Sequence, residues 1–74
     1  MRPGEEKLVA MANQIGLAFA RRPREEAVKE IAEHIKSFWE KRMLAKLYAH
    51  IDAGAAGLDE LPKEGLLRLR QTSL

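Results

Sequence analysis

Leu8, Met11, Ala12, Ile15 and Phe19 recur at i, i+3, i+4, i+7 and i+11. At about 100° per residue these five share one stripe, which predicts an amphipathic helix over about 5–20. Pro3 and Gly4, both poor in a helix interior, read as a short lead. Glu5 and Glu6 then open the helix, and Arg21 and Arg22 close it, each with the charge sign that the helix dipole favours. Pro23 stops it, because the residue before a proline is pushed out of the helical region. Val9 and Leu17 fall off the stripe and read as isolated exposed apolar residues, with a second contact face as the alternative. Gly16 is either a point of close helix approach or incidental.

A second stripe is formed by Ala27, Val28, Ile31, Ile35 and Phe38, with Trp39 on its edge. It predicts a helix over about 24–39, joined to the first by a tight RRPR turn as an antiparallel hairpin. Glu25–Lys29 and Glu33–Lys36 are spaced for favourable pairing on this helix, and Glu26–Glu30 for repulsion.

The pattern then changes face. Leu44, Leu47, Tyr48 and Ile51 make a third stripe. On a straight helix from 24 to 53 this stripe would centre about 180° from the second. Either the chain bends near Glu40–Arg42 or one long helix has different neighbours at its two ends. No Gly or Pro marks a bend, and the favoured alternative is a kink or break, with a helix over about 41–53. Gly54 suits the left-handed position after that helix. The AGAAG loop follows, and then a weaker helix over about 60–70 carrying Leu61, Leu66, Leu67 and Leu69. Pro62 fits its first turn, whereas Gly65 argues against it. Gln71–Leu74 read as fraying. The expectation is therefore an all-α fold: one small domain over 1–74, built as a helical hairpin or three-helix domain with a short C-terminal helix.

Size and composition narrow what such a domain can do. A chain of 74 residues has a core that supplies only about 3–5 kcal/mol. It has no Cys, and so neither a disulfide nor a thiolate metal site supplements that core. A partner is the expected source of extra stability. The net charge of +2, from 13 basic and 11 acidic residues, is weak ground for nucleic-acid binding. No apolar run approaches the roughly 20 residues of a membrane span. The N-terminal residues lack a signal-peptide pattern, and the chain reads as cytoplasmic.

Catalytic patterns are missing. There is no HExxH pair, no phosphate-binding Gly-rich loop with Lys-Ser/Thr and no GxSxG. AGAAG follows a helix, which is the wrong context for a dinucleotide loop. His34 with Glu30, four residues earlier, does not complete a metal or acid–base site. His50 is equally unremarkable alone. Asp52 sits where a helix C-terminus disfavours an acid, which points to a partner or an Arg contact. The segment His34–Met43, HIKSFWEKRM, is more informative. Trp, Arg and Met are enriched at interfaces, so it reads as a docking surface, although Trp39 could also complete the core. Arg21, Arg22 and Arg24 form the densest basic cluster, either a solvated turn or a contact for phosphate or an acidic partner.

Three blocks, MANQIGLAF (Met11–Phe19), IAEHIKSFWEKRM (Ile31–Met43) and LYAHIDAGAAGL (Leu47–Leu58), occur in order. Together they resemble the delta subunit of bacterial NAD-dependent formate dehydrogenase, over about Leu8–Arg70. Two departures stand out: Lys41 replaces the family's usual proline, and Ala55-Ala56 replace a more Gly-rich pair. The resemblance implies a non-catalytic accessory subunit of a cytoplasmic complex, binding no cofactor itself. The catalytic alpha subunit would carry a molybdenum or tungsten pterin cofactor and iron–sulfur clusters. Beta and gamma subunits would pass electrons to a flavin and NAD. This chain would bind the alpha subunit and support assembly, cofactor retention or activity. Asn13, Gln14, His34, Phe38, Trp39, Arg42, Met43, His50, Asp52 and Gly54 match the family blocks and are the expected partner-binding residues. Trp39 and Met43 would anchor in an apolar pocket, Arg42 would pair with an acidic or carbonyl group, and Asn13 and Gln14 would make polar contacts. The alternatives are a transient maturation chaperone for cofactor insertion and a small basic helical nucleic-acid binder.

Overall fold

A computed structural model describes residues 3–72, so expectations for residues 1–2 and 73–74 lie outside the described residues. The described chain is four α-helices: α1 (Pro3–Phe19), α2 (Arg24–Phe38), α3 (Lys41–Asp52) and α4 (Glu60–Thr72). Pro3 and Gly4 fall in the first turn of α1 rather than in a lead. A proline is tolerated there because its missing N–H needs no intrahelical partner.

The main departure from the predicted architecture is the weight of α4. It is three turns long, and α2 packs more extensively on it than on α1. The hairpin of α1 and α2 is therefore not the centre of the fold. The buried residues of α4 are Pro62, Gly65, Leu66 and Leu69, which is an i, i+3, i+4, i+7 stripe. Half of that stripe is Pro and Gly, so only Leu66 and Leu69 signal it in the sequence. Gly65 lets α4 approach α2: a β-carbon there would lie 2.6 Å from Ile31 Cγ2. Gly16 serves α1 in the same way, since its β-carbon would lie 2.8 Å from Pro62 Cδ.

The core joins Leu8, Val9 and Ala12 of α1, Ile31, Ala32 and Ile35 of α2, Leu47 of α3, and Leu66 and Leu69 of α4. Trp39 and Leu58, both between helices, complete it. All three other helices touch α1, so its buried arc is wider than one stripe. Val9 is buried, against expectation, while Met11 is exposed. Leu17 is exposed, as its position off the stripe predicted.

Between α2 and α3 the backbone is extended at Trp39 (φ −102°, ψ 138°) and at Glu40 (φ −77°, ψ 158°). The two helices are thus separate, and the interruption lies at Trp39–Glu40. The extended step turns Trp39 inward, and the side chain before it, Phe38, is left outside at 73 % exposure. Phe38 is therefore not part of the core stripe. Lys41, where a proline was the family's usual residue, is the first residue of α3.

Charged pairs tie α2 to α4. Arg24 meets Glu64, and Arg68 reaches Glu25 at 2.6 Å. Glu25 thus has a partner on another helix besides the Lys29 spaced for it in sequence. Exposed pairs of this kind add little individually; they lie along the same two helices that interlock at Gly65.

Candidate partner interface

The family blocks supply two kinds of residue to this fold. One kind builds the fold. Asn13 leaves α1 to grip the loop before α4. Its Nδ2 donates to the Gly57 carbonyl at 2.9 Å, and its Oδ1 accepts the Asp59 N–H at 2.9 Å. His50 is buried in α3, with Nε2 2.7 Å from the Ala56 carbonyl and Nδ1 3.8 Å from Glu5 Oε2. A ring proton on Nε2 donates to that carbonyl and fixes the loop from the other side. Gly54 has φ +119° and Ala55 φ +57°, the left-handed backbone that ends α3. The Ala55 N–H closes the turn on the His50 carbonyl at 2.9 Å.

Asp52 has the arginine contact that its unfavourable place at a helix C-terminus called for. Arg70 Nη1 and Nη2 donate to its two carboxylate oxygens at 2.8 and 3.0 Å. The hydrogen bonds to Arg70 hold the Asp52 carboxyl below its ordinary range. Arg70 also lies 5.2 Å over the Tyr48 ring. Burial pushes the Tyr48 phenol up, and its hydroxyl is enclosed with no hydrogen-bond partner among the described residues.

Trp39 belongs to this structural group as well. It is 8 % exposed and is held in the chain's own core. Met43 is half-buried against the same core.

The second kind of residue faces outward. Gln14 and Arg42 are exposed on α1 and α3. His34 is half-buried between two rings, 6.0 Å from Phe19 and 4.7 Å from the exposed Phe38. Arg22 lies over the Phe19 ring at 5.5 Å and bonds Glu30 at 2.9 Å. Together Phe19, His34 and Phe38 form an aromatic ridge along one flank of the α1–α2 pair. Of the predicted basic cluster, Arg22 and Arg24 are both engaged with glutamates, Glu30 and Glu64, which reduces the positive field offered to a phosphate.

On the other flank lies a feature that the sequence reading missed. A groove of about 680 Å³ opens between the end of α2, α3 and α4. Its walls are Trp39, Leu44, Ala45, Tyr48 and Leu69, and Lys36, Glu40 and Lys41 stand at its edge. The separate stripes of α3 and α4 gave no sign of it, because it exists only where Trp39 turns in. A smaller groove of about 280 Å³ shares Lys36 and Leu69 with it and continues between α2 and α4.

Among the described residues no group of three or more His, Cys, Asp or Glu side chains is placed to hold a metal ion. Among the described residues, too, no helix is long and apolar enough to cross a membrane. Compared with known proteins, residues 7–66 match the family model described as NADH-dependent formate dehydrogenase delta subunit, FdsD. No curated protein and no solved structure gives a significant match.

Proposed function

This chain belongs to the formate dehydrogenase delta-subunit family, and from that membership we propose that it is a non-catalytic accessory subunit that binds the catalytic subunit of such an enzyme. The observation that carries the reading is the family match over residues 7–66. The fold is consistent with it, since its chemistry-bearing residues are used to hold helices and loops together. Asn13, His50, Asp52 and Gly54 keep the α3–α4 connection in shape, and Trp39 sets the angle between α2 and α3. Gln14, His34, Phe38, Arg42 and Met43 are the family-block residues that a partner can reach. In this reading the pterin metal cofactor, iron–sulfur clusters, flavin and NAD belong to the alpha, beta and gamma subunits. The work of this chain is to support assembly, cofactor retention or activity in the cytoplasm.

Co-expression of the full chain with the catalytic subunit, followed by native purification, tests the reading. The expected result is a stable complex containing both. Failure to co-purify overturns it. A chain absent from the active complex yet required for its cofactor content would identify a transient maturation chaperone instead.

A further inference from the structure

We propose that the groove at the α2–α3 joint is the docking site for the catalytic subunit. Its occupant is a segment of that subunit presenting apolar side chains with carboxylates beside them. The inference rests on the accessory-subunit reading and adds to it the surface and the chemistry of recognition.

Two observations point to this occupant. The first is the shape and polarity of the groove. Leu44, Ala45, Tyr48 and Leu69 line it, and a cavity of about 150 Å³ is already enough to bind benzene. A groove of about 680 Å³ therefore admits several side chains. In so small a domain an apolar recess of this size is a place where a partner gains burial.

The second is charge. The first turn of α3 has no acid, and Glu40 before it makes no capping hydrogen bond with its side chain. Instead Lys41 and Arg42 open the helix, where the dipole is already positive. That order is locally unfavourable. Lys36 and Lys41 line the groove, where Glu40 is the one carboxylate among the lining residues, and the exposed Arg42 adjoins them in the first turn of α3. A local conflict of this kind next to an apolar recess is resolved by carboxylates arriving from outside. The aromatic ridge of Phe19, His34 and Phe38 lies on the other flank of α2 and has no comparable excess of charge: Arg22 is already paired with Glu30.

The test compares full-length variants for binding to the catalytic subunit, with thermal melting of each variant alone. Ala45→Arg blocks the groove, and Lys36→Glu with Lys41→Glu reverses its edge. Ala45, Lys36 and Lys41 are all exposed, so the melts should stay close to that of the unaltered chain. The expected result is at least a tenfold loss of affinity for each variant, and weaker binding of the unaltered chain at high salt. Leu17→Asp, on a helix that does not line the groove, should bind normally. If the groove variants bind as the unaltered chain does, or Phe38→Asp alone abolishes binding, the groove assignment is overturned while the subunit reading stands. If the unaltered chain does not bind at all, both fall.

Discussion

Gly65 lies so close to Ile31 that a β-carbon on it would come within 2.6 Å of Ile31 Cγ2 and 3.1 Å of Ile31 Cβ. Ile31 is fully buried and branched at its β-carbon, which restricts its side chain to essentially one rotamer in a helix. Gly65→Ala should therefore destabilise the chain, although alanine is the better helix former by about 1 kcal/mol. Overpacking of about 1–3 kcal/mol decides the sign. For a domain this small, each 1 kcal/mol lowers the melting temperature by roughly 4–8 °C. A rise in melting temperature for this variant would show that α2 and α4 do not interlock there.

Ala55 holds a left-handed backbone without being glycine, at φ +57°. That conformation costs an L-residue roughly 1–2 kcal/mol. Ala55→Gly should relieve it, less the small packing contribution of the methyl and the added freedom of the unfolded chain. A net gain of about 0.5–1 kcal/mol is expected, read from urea unfolding. Unchanged or reduced stability would mean that the methyl contact with the core outweighs the backbone strain.

Neighbouring aromatic residues should respond oppositely. Trp39→Ala removes a buried ring, at about 3–5 kcal/mol, which is comparable with all that a core this size supplies. Far-UV circular dichroism should show loss of cooperative helicity. Phe38→Ala, at a 73 % exposed site, should change stability by less than about 0.5 kcal/mol. Loss of partner binding by Trp39→Ala would accordingly report unfolding, and exposed positions are the ones that report the interface.

The pH dependence of stability should have two identifiable contributions. Asp52 is held below its ordinary range by Arg70. Its contribution is present above the unfolded carboxyl's range and is lost as pH falls through the lowered folded value. Asp52→Asn should make the acid limb shallower. The Tyr48 phenol is raised, mainly by burial. Its contribution is present below the ordinary phenol value of about 10 and is lost as pH rises beyond it. Tyr48→Phe should remove that alkaline loss and leave neutral-pH stability unchanged or higher, because the enclosed hydroxyl has no partner to lose. Urea midpoints across pH check both limbs; identical profiles for variants and unaltered chain would refute the assignments.

Much of this fold is legible in the sequence, and the misreadings have physical causes. The positions of the helices follow from stripe, proline and charge signals, because each is local. The importance of α4 is hidden because its contact stripe uses Pro62 and Gly65, residues that local propensity counts against a helix. Val9 and Met11 exchange burial because three neighbours, not one, surround α1, and a single-stripe argument assumes one. Phe38 and Trp39 exchange places because two extended residues end the helical periodicity before Trp39. The Asp52–Arg70 pair was half legible: an acid at a helix C-terminus demands a cation, but which cation depends on how α4 returns. The groove was illegible, since it is a property of three elements together. The family blocks were visible as words, but their structural roles only appear once Asn13 and His50 are seen on either side of the same loop.

The Asn13 grip has a consequence in time as well as in space. Its two hydrogen bonds join residues 44 and 46 positions apart. Contacts at such separations form late, because the entropy of closing the intervening chain must be overcome first. A chain that stops short of Gly57 can form the turn between α1 and α2 but leaves the Asn13 amide to water. The loop before α4 is thus secured late, by a residue of a helix that lies far upstream of it in the chain.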